Sequence, residues 1–263
     1  MTADNVRFRR EGALGRITLD RPKALNTLTL PMCAAMLAQL RAWVDDPAVA
    51  CVAIDAIPGR AFCAGGDVRA ILDSAHKHDG LAPQFFTTEY RLNGTIRRYP
   101  KPYVALIDGY AFGGGLGVSV HGSHRVVSEN AVLSMPETAI GLFPDIGGSY
   151  FLSRLPGQIG MYLGLTGVRL NAADALYAGL ATHFVPGGRF PEIGERLARG
   201  EAPDAVLASA AADPGFASLA VHRAVIDSAF AASSVEEILR MLKNEGDWGR
   251  ETAGLLETRA PNS

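Results

Sequence analysis

The stretch Ile107–Ser119 constrains this chain more than any other. It reads IDGYAFGGGLGVS, so the apolar strand predicted over Tyr103–Ile107 runs into three consecutive glycines and then a predicted helix. Such a junction leaves backbone N–H groups exposed at a helix N-terminus, where the dipole favours negative charge and glycine lets a ligand approach the main chain closely. Close packing of helix on strand explains the same glycines equally well. A nucleotide-phosphate loop does not. Gly113, Gly114, Gly115 and Gly117 miss G-x-G-x-x-G, because Val118 and Val120 stand where the third glycine would fall, and no G-x-x-x-x-G-K-[ST] occurs.

A second glycine turn lies upstream. The apolar run Cys51–Ile57 ends at Pro58-Gly59 and is followed by Phe62-Cys63-Ala64-Gly65-Gly66-Asp67, with Asp67 placed to cap a helix over 68–76. Two such turns can aim two N–H groups at one carbonyl oxygen. That arrangement stabilises the oxyanion or enolate formed from a thioester, and losing one donor typically costs on the order of 10²–10³ in rate.

These motifs together carry a family resemblance. FCAGGD (62–67) and GYAFGGG (109–115), with LDRPKALNTL (19–28) before and MPETAIGLFPDIGG (135–148) after, resemble the crotonase, or enoyl-CoA hydratase/isomerase, superfamily. Within it, KPYVALIDG, GVSVHG, PETAIGLFPDIGGSYFLSRLPG and GLATHFV are most similar to the 3-hydroxyisobutyryl-CoA hydrolase branch, and the likeness covers residues 6–258. The resemblance implies an α/β fold: a spiral of β-β-α turns ending in helices, assembled as homotrimers or dimers of trimers. It divides the chain into a spiral core over 1–190 and a C-terminal helical region over 191–263. The family pattern continues with further helices past Leu255–Ser263; an entire protein ending here would have a site that is open or completed in trans, or be a non-catalytic acyl-CoA-binding subunit, and a fragment would keep a folded core while activity is lost.

Composition fits these expectations. With 263 residues, 48% hydrophobic and 20% charged, the chain can bury one large core, or a core plus a small helical lobe. A net charge of −2 gives no electrostatic reason to expect nucleic acid or an anionic membrane as partner. Cys33, Cys51 and Cys63 are odd in number and form no C-x-x-C pair, so a reducing compartment is expected, and with it a cytoplasmic location. No apolar segment follows the arginines of residues 1–10, and no run approaches the roughly 18–20 apolar residues of a membrane span. We expect neither a signal peptide nor a span.

Strands and helices alternate. A hairpin around Gly12 joins Val6–Arg10 to Leu14–Asp20. Leu30–Val44 forms a helix capped by Thr29, and Gln84–Tyr99 forms another. Arg125–Val127 and Ala131–Ser134 are short strands, and from Gly147 onward the pattern is helical to the end.

Three carboxylates stand out. Glu137 follows Pro136 just after a strand, and the residues alone leave catalysis, a first-turn acid and an exposed loop open. The resemblance makes it the principal acid-base or nucleophilic group. Asp145 is either the N-cap of the helix after Gly147 or, by resemblance, faces Glu137 across the substrate and bonds its 3-hydroxyl. Glu89 shares a helical stripe with Phe85, Asn93 and Ile96, so it needs a partner such as Arg97 or Lys101, or else faces a cavity.

One departure bears on the reaction. Enoyl-CoA hydratases carry a second catalytic glutamate where this chain has Gly117. Thioester hydrolysis remains feasible, while hydration or isomerisation would have to use Glu137 alone. The resemblance implies that the Gly66 and Gly114 N–H groups bind the thioester oxygen. It also implies that Lys23, Ala24, Leu25, Ala64 and Asp67 lie where coenzyme A is contacted. Coenzyme A is then part of the substrate, with no separate cofactor. No metal is expected: the six histidines show no H-E-x-x-H, and His121 reads as a packing residue.

Overall fold

The computed structural model describes residues 2–3 and 5–259; the expectations for Ala260–Ser263 lie outside the described residues. Ten strands form two sheets. They are β1 (Thr2–Ala3), β2 (Val6–Glu11), β3 (Leu14–Leu19), β4 (Cys51–Ala56), β5 (Ala61–Cys63), β6 (Tyr103–Ile107), β7 (Tyr110–Phe112), β8 (His124–Val127), β9 (Val132–Ser134) and β10 (His183–Phe184). The larger sheet has the order β1-β2-β3-β4-β6-β8-β10, and the smaller is β5-β7-β9. β1-β2-β3 pair antiparallel and every other pairing is parallel.

The chain therefore alternates between sheets. β4, β6 and β8 each hand over within a few residues to β5, β7 and β9, and helices return the chain for the next turn. This is the expected spiral of β-β-α units. The returning helices are α1 (Leu30–Val44), α2 (Val68–Lys77), α3 (Leu81–Arg97) and the single turn α4 (Gly114–Gly117). Every residue of β6 is buried, which is why its sequence is continuously apolar rather than alternating.

Local chemistry sets the helix starts. Thr29 Oγ1 accepts from Met32 N, and Asp67 Oδ1 accepts from Ala70 N at 3.2 Å, as N-caps do. The apolar face of α1, with Met32, Met36 and Leu40 fully buried or nearly so, packs against α3. Leu40→Ala there would cost about 2–5 kcal/mol.

The structure differs from the sequence expectations in three places. α3 starts three residues before Gln84 and ends two before Tyr99, because the preceding loop is fixed by Ser74 Oγ and Asp79 rather than by a cap visible in the sequence. The glycine-rich helix is one turn only, and Gly115 within it packs so closely on the Cys63 carbonyl that a Cβ would collide with it. The chain after Gly147 is not wholly helical: β10 pairs with β8 and extends the large sheet. Two residues are too few to show a strand period.

The C-terminal helices cover the outer face of that sheet. Ile193, Leu197, Val206 and Leu207 pack with Leu14, Cys51, Val104 and Val126. All three cysteines are free and buried. No helix among the described residues is long and apolar enough to cross a membrane.

Candidate active site

Each strand of the small parallel sheet delivers one element of the site just past its C-terminal end. β5 leads into Ala64-Gly65-Gly66, β7 into Gly113-Gly114, and β9 into Pro136-Glu137. Parallel strands point these ends the same way, so three loops distant in sequence converge. α3 closes the fourth side with Glu89, and the loop Gly141–Gly147 brings in Asp145. The resulting cavity measures about 450 Å³.

The two glycine turns meet as the sequence suggested. A Cβ built on Gly114 would lie 3.2 Å from the Gly66 nitrogen and 2.5 Å from Glu89 Oε1. Neither the Gly66 nor the Gly114 N–H donates to a protein group among the described residues, although both line the cavity. Gly113 has φ +45°, which glycine reaches without strain, and a Cβ there would lie 2.7 Å from Glu137 Oε1.

The carboxyl groups are buried and under-bonded. Glu89 is 2% exposed and Glu137 5%, and Glu89 Oε1 and Glu137 Oε2 have no hydrogen-bond partner among the described residues. Burial, then the nearby charges of Asp145 and Glu137, push Glu89 up to about 8. Burial, reinforced by Asp145, pushes Glu137 up to about 7. Asp145 is raised by burial and held back by the hydrogen bond it accepts from the Tyr90 hydroxyl at 2.7 Å. Around neutral pH this wall holds Glu89 protonated and Glu137 poised between its two forms.

Two structural alternatives from the sequence are corrected here. Asp145 does not cap the following helix with its carboxylate: Gly147 takes the N-cap position, and the carboxylate goes to Tyr90. Glu89 has no ion pair with Arg97 or Lys101. Arg97 bonds the Tyr150 hydroxyl, and Lys101 bonds the Trp43 and Asp46 carbonyls.

Of the residues singled out, Ala64, Gly66, Glu89, Gly114, Glu137 and Asp145 line the cavity. Lys23, Ala24, Leu25 and Asp67 do not. Lys23 is exposed on the turn before α1, and this turn is docked onto the first glycine loop by the Ala64 N to Leu25 O bond at 3.0 Å. Both oxygens of Asp67 are engaged, one by Ala70 N and the other by Arg21 at 2.8 Å, so it acts as a cap and an ion-pair partner rather than a cavity group. His121 packs edge-on against Phe151 and contacts the Ile146 carbonyl through Nε2 at 2.6 Å.

Sequence reasoning missed Tyr90 and the loop strain beside Asp145. Tyr90 follows Glu89 directly and lies off its stripe, so helical periodicity gave no reason to pair it with Asp145. Ile146 has φ +47°, rare for a β-branched side chain, and its carbonyl is held by His121. Gly117 also acquires a reason. A Cβ there would lie 2.9 Å from Asn93 Nδ2 and 3.1 Å from Ile146, so the position has little room for a glutamate.

Comparisons with known proteins agree with this architecture. The family model for enoyl-CoA hydratase/isomerase matches residues 14–263. A mitochondrial 3-hydroxyisobutyryl-CoA hydrolase of Xenopus tropicalis is 49% identical over 96% of this chain and 68% of its own length. The Homo sapiens protein of that name is 42% identical over 99% of this chain and 70% of its own. Among solved structures, a carnitinyl-CoA dehydratase from Mycobacterium thermoresistibile superposes with a TM-score of 0.94 at 41% identity, covering 98% of this chain and 76% of that one. An enoyl-CoA hydratase from Rhodobacter sphaeroides gives 0.91 at 40%, covering 98% and 75%. The names of the hydrolase relatives place them in the mitochondrion, which overturns the cytoplasmic expectation drawn from cysteine usage. With its spiral of β-β-α turns and this level of identity, the chain belongs to the crotonase, or enoyl-CoA hydratase/isomerase, family.

Proposed function

We propose that this protein hydrolyses a short β-hydroxyacyl-CoA thioester, of the kind named for its hydrolase relatives. The observation that carries this reading is one cavity holding two unengaged N–H groups and two buried glutamates with unpartnered oxygens. Buried polar atoms in native proteins are almost always bonded, so such a cluster marks where a polar substrate stands.

The thioester oxygen is bound by the Gly66 and Gly114 N–H groups, which take up the negative charge as the carbonyl carbon becomes tetrahedral. Glu137 in its carboxylate form takes the proton of a water that attacks that carbon, or attacks it directly to form an acyl-Glu137 anhydride that water then hydrolyses to the free acid and Glu137. Collapse of the adduct breaks the C–S bond, and coenzyme A leaves as the thiol, its sulfur taking the proton held by Glu137 in the water route or one from solvent in the direct route. Asp145 accepts a hydrogen bond from the substrate's β-hydroxyl, with Tyr90 fixing its direction, and protonated Glu89 donates to the acyl group. The turn carrying Lys23, Ala24 and Leu25, docked beside Ala64, holds the nucleotide end of coenzyme A. Exposed Ile140, Phe143 and Met161, 59%, 65% and 50% accessible, support assembly as a homotrimer or dimer of trimers through this side of the molecule.

A panel assay tests the reading: thiol release from 3-hydroxyisobutyryl-CoA and from acyl-CoA esters lacking the hydroxyl, beside hydration of crotonyl-CoA. We expect thiol release with preference for the β-hydroxy ester. Hydration without thiol release would assign the hydratase chemistry instead, and tight binding without turnover a non-catalytic acyl-CoA-binding role.

A further inference from the structure

The hydrogen bond between Tyr90 and Asp145 is a partition. Asp145 lines the acyl cavity, while Tyr90 lines a second cavity of about 480 Å³ behind it, between the C-terminal half of α3 and residues 146–150. Arg97, His121 and Tyr150 are shared with an adjoining hollow of about 220 Å³, where Arg125 and Arg154 also stand. Among the described residues no carboxylate lines either space.

The charge in this region is one-sided. Arg97 donates to the Tyr150 hydroxyl at 2.9 Å, Arg154 to the Tyr150 carbonyl at 2.7 Å, and Arg125 to the Gly122, Gly179 and Leu180 carbonyls. Arg98, one residue on, completes four guanidinium groups, none ion-paired to a carboxylate among the described residues. Like charges gathered in this way repel, and an anion relieves the repulsion. Arg97 also holds the Tyr150 hydroxyl below its ordinary value, as expected in a positive field.

A buried polar group points to the same place. Asn93, one turn beyond Glu89 on α3, is 4% exposed and lines the second cavity, and both Nδ2 and Oδ1 lack a partner among the described residues. A buried amide without bonds costs on the order of 1–3 kcal/mol, so its retention calls for a ligand.

We propose that this second cavity is a carboxylate site that receives the free β-hydroxy acid after the thioester is cut. The inference rests on the hydrolytic reading of the neighbouring cavity. Hydrolysis turns an uncharged acyl group into an anion lying beside Glu137 and Asp145, which repel it. The arginine cluster is one wall away, and guanidinium groups bind carboxylates in a fixed fork. Opening of the Tyr90–Asp145 bond connects the two spaces, so the acid leaves by the back while coenzyme A leaves by the front.

Calorimetric titration of the full chain with sodium 3-hydroxyisobutyrate tests this without requiring turnover. Wild type and Glu137→Gln should bind it saturably. In Arg97→Gln/Arg98→Gln the dissociation constant should rise about tenfold or more, as loss of a charge-assisted pair implies. Arg98→Gln alone, an exposed substitution in the same cavity, gives the same test should the double variant fold poorly. In turnover, product inhibition should persist at saturating acyl-CoA in wild type and vanish in the double variant. Binding that is indifferent to these arginines, or inhibition that acyl-CoA fully competes away, overturns the proposal. An inert chain that still binds the hydroxy acid through Arg97 and Arg98 removes the hydrolytic reading and leaves the anion site standing. An active hydrolase with arginine-independent binding does the reverse.

Discussion

Two buried asparagines show how differently this molecule treats polar groups. Asn26, 1% exposed in the turn before α1, uses both ends of its amide: Oδ1 accepts from Arg21 N at 2.7 Å and Nδ2 donates to the Ala61 carbonyl at 2.8 Å. Asn93, 4% exposed on α3, uses neither. The carboxylates divide the same way. Burial raises Asp55, yet Thr18 at 2.6 Å and Arg16 at 2.9 Å bond it, whereas one oxygen each of Glu89 and Glu137 is left without a partner. Bonded buried groups hold the fold, and the unbonded oxygens belong to glutamates that line the cavity.

Substitutions on the two sides of this division should behave oppositely. Glu137→Gln should lower kcat by about 10²–10⁴-fold, the usual contribution of a positioned base, with no loss of melting temperature. Gly114→Ala should cost on the order of 10²–10³-fold, since the added methyl meets Glu89 Oε1 and crowds the Gly66 nitrogen, spoiling the two-donor site. On the bonded side, Asn26→Ala should lower stability by about 1–3 kcal/mol in denaturant titration, because it strands the Arg21 N–H and the Ala61 carbonyl.

The pH effects are smaller and sharper. With Glu137 raised to about 7, kcat/KM should climb as pH rises through that value. Asp145→Asn removes a charge that raises Glu137, so the climb should move to lower pH. Glu89 is raised from 4.5 to about 8, so the stability supplied by its neutral form is complete below pH 4.5 and lost as pH rises through 8. Glu89→Gln removes that loss. Its stability relative to wild type should therefore improve over this window, and a flat difference would mean that Glu89 is not held protonated.

Much of this was legible in the sequence because the signals were local. Thr29 and Asp67 announced their helices by capping chemistry, the apolar run 103–107 announced a strand buried on both faces, and the stripe of Phe85, Glu89, Asn93 and Ile96 required a carboxylate facing something polar or hollow. What the stripe could not supply was the choice between an ion pair and a cavity. That choice depends on where Arg97 and Lys101 point, and both point elsewhere. Tyr90 and β10 were missed because one lies off the periodic face and the other is too short to have a period. Gly117 was legible as a missing acid, but its crowding by Asn93 and Ile146 is set by contacts distant in sequence.

The most direct test is thiol release from 3-hydroxyisobutyryl-CoA by wild type and Glu137→Gln, at matched secondary structure and melting temperature. Turnover that falls by about two orders of magnitude or more in the variant is the predicted result. Equal turnover by the two proteins would contradict the central claim that the unpartnered glutamate in this cavity performs the chemistry.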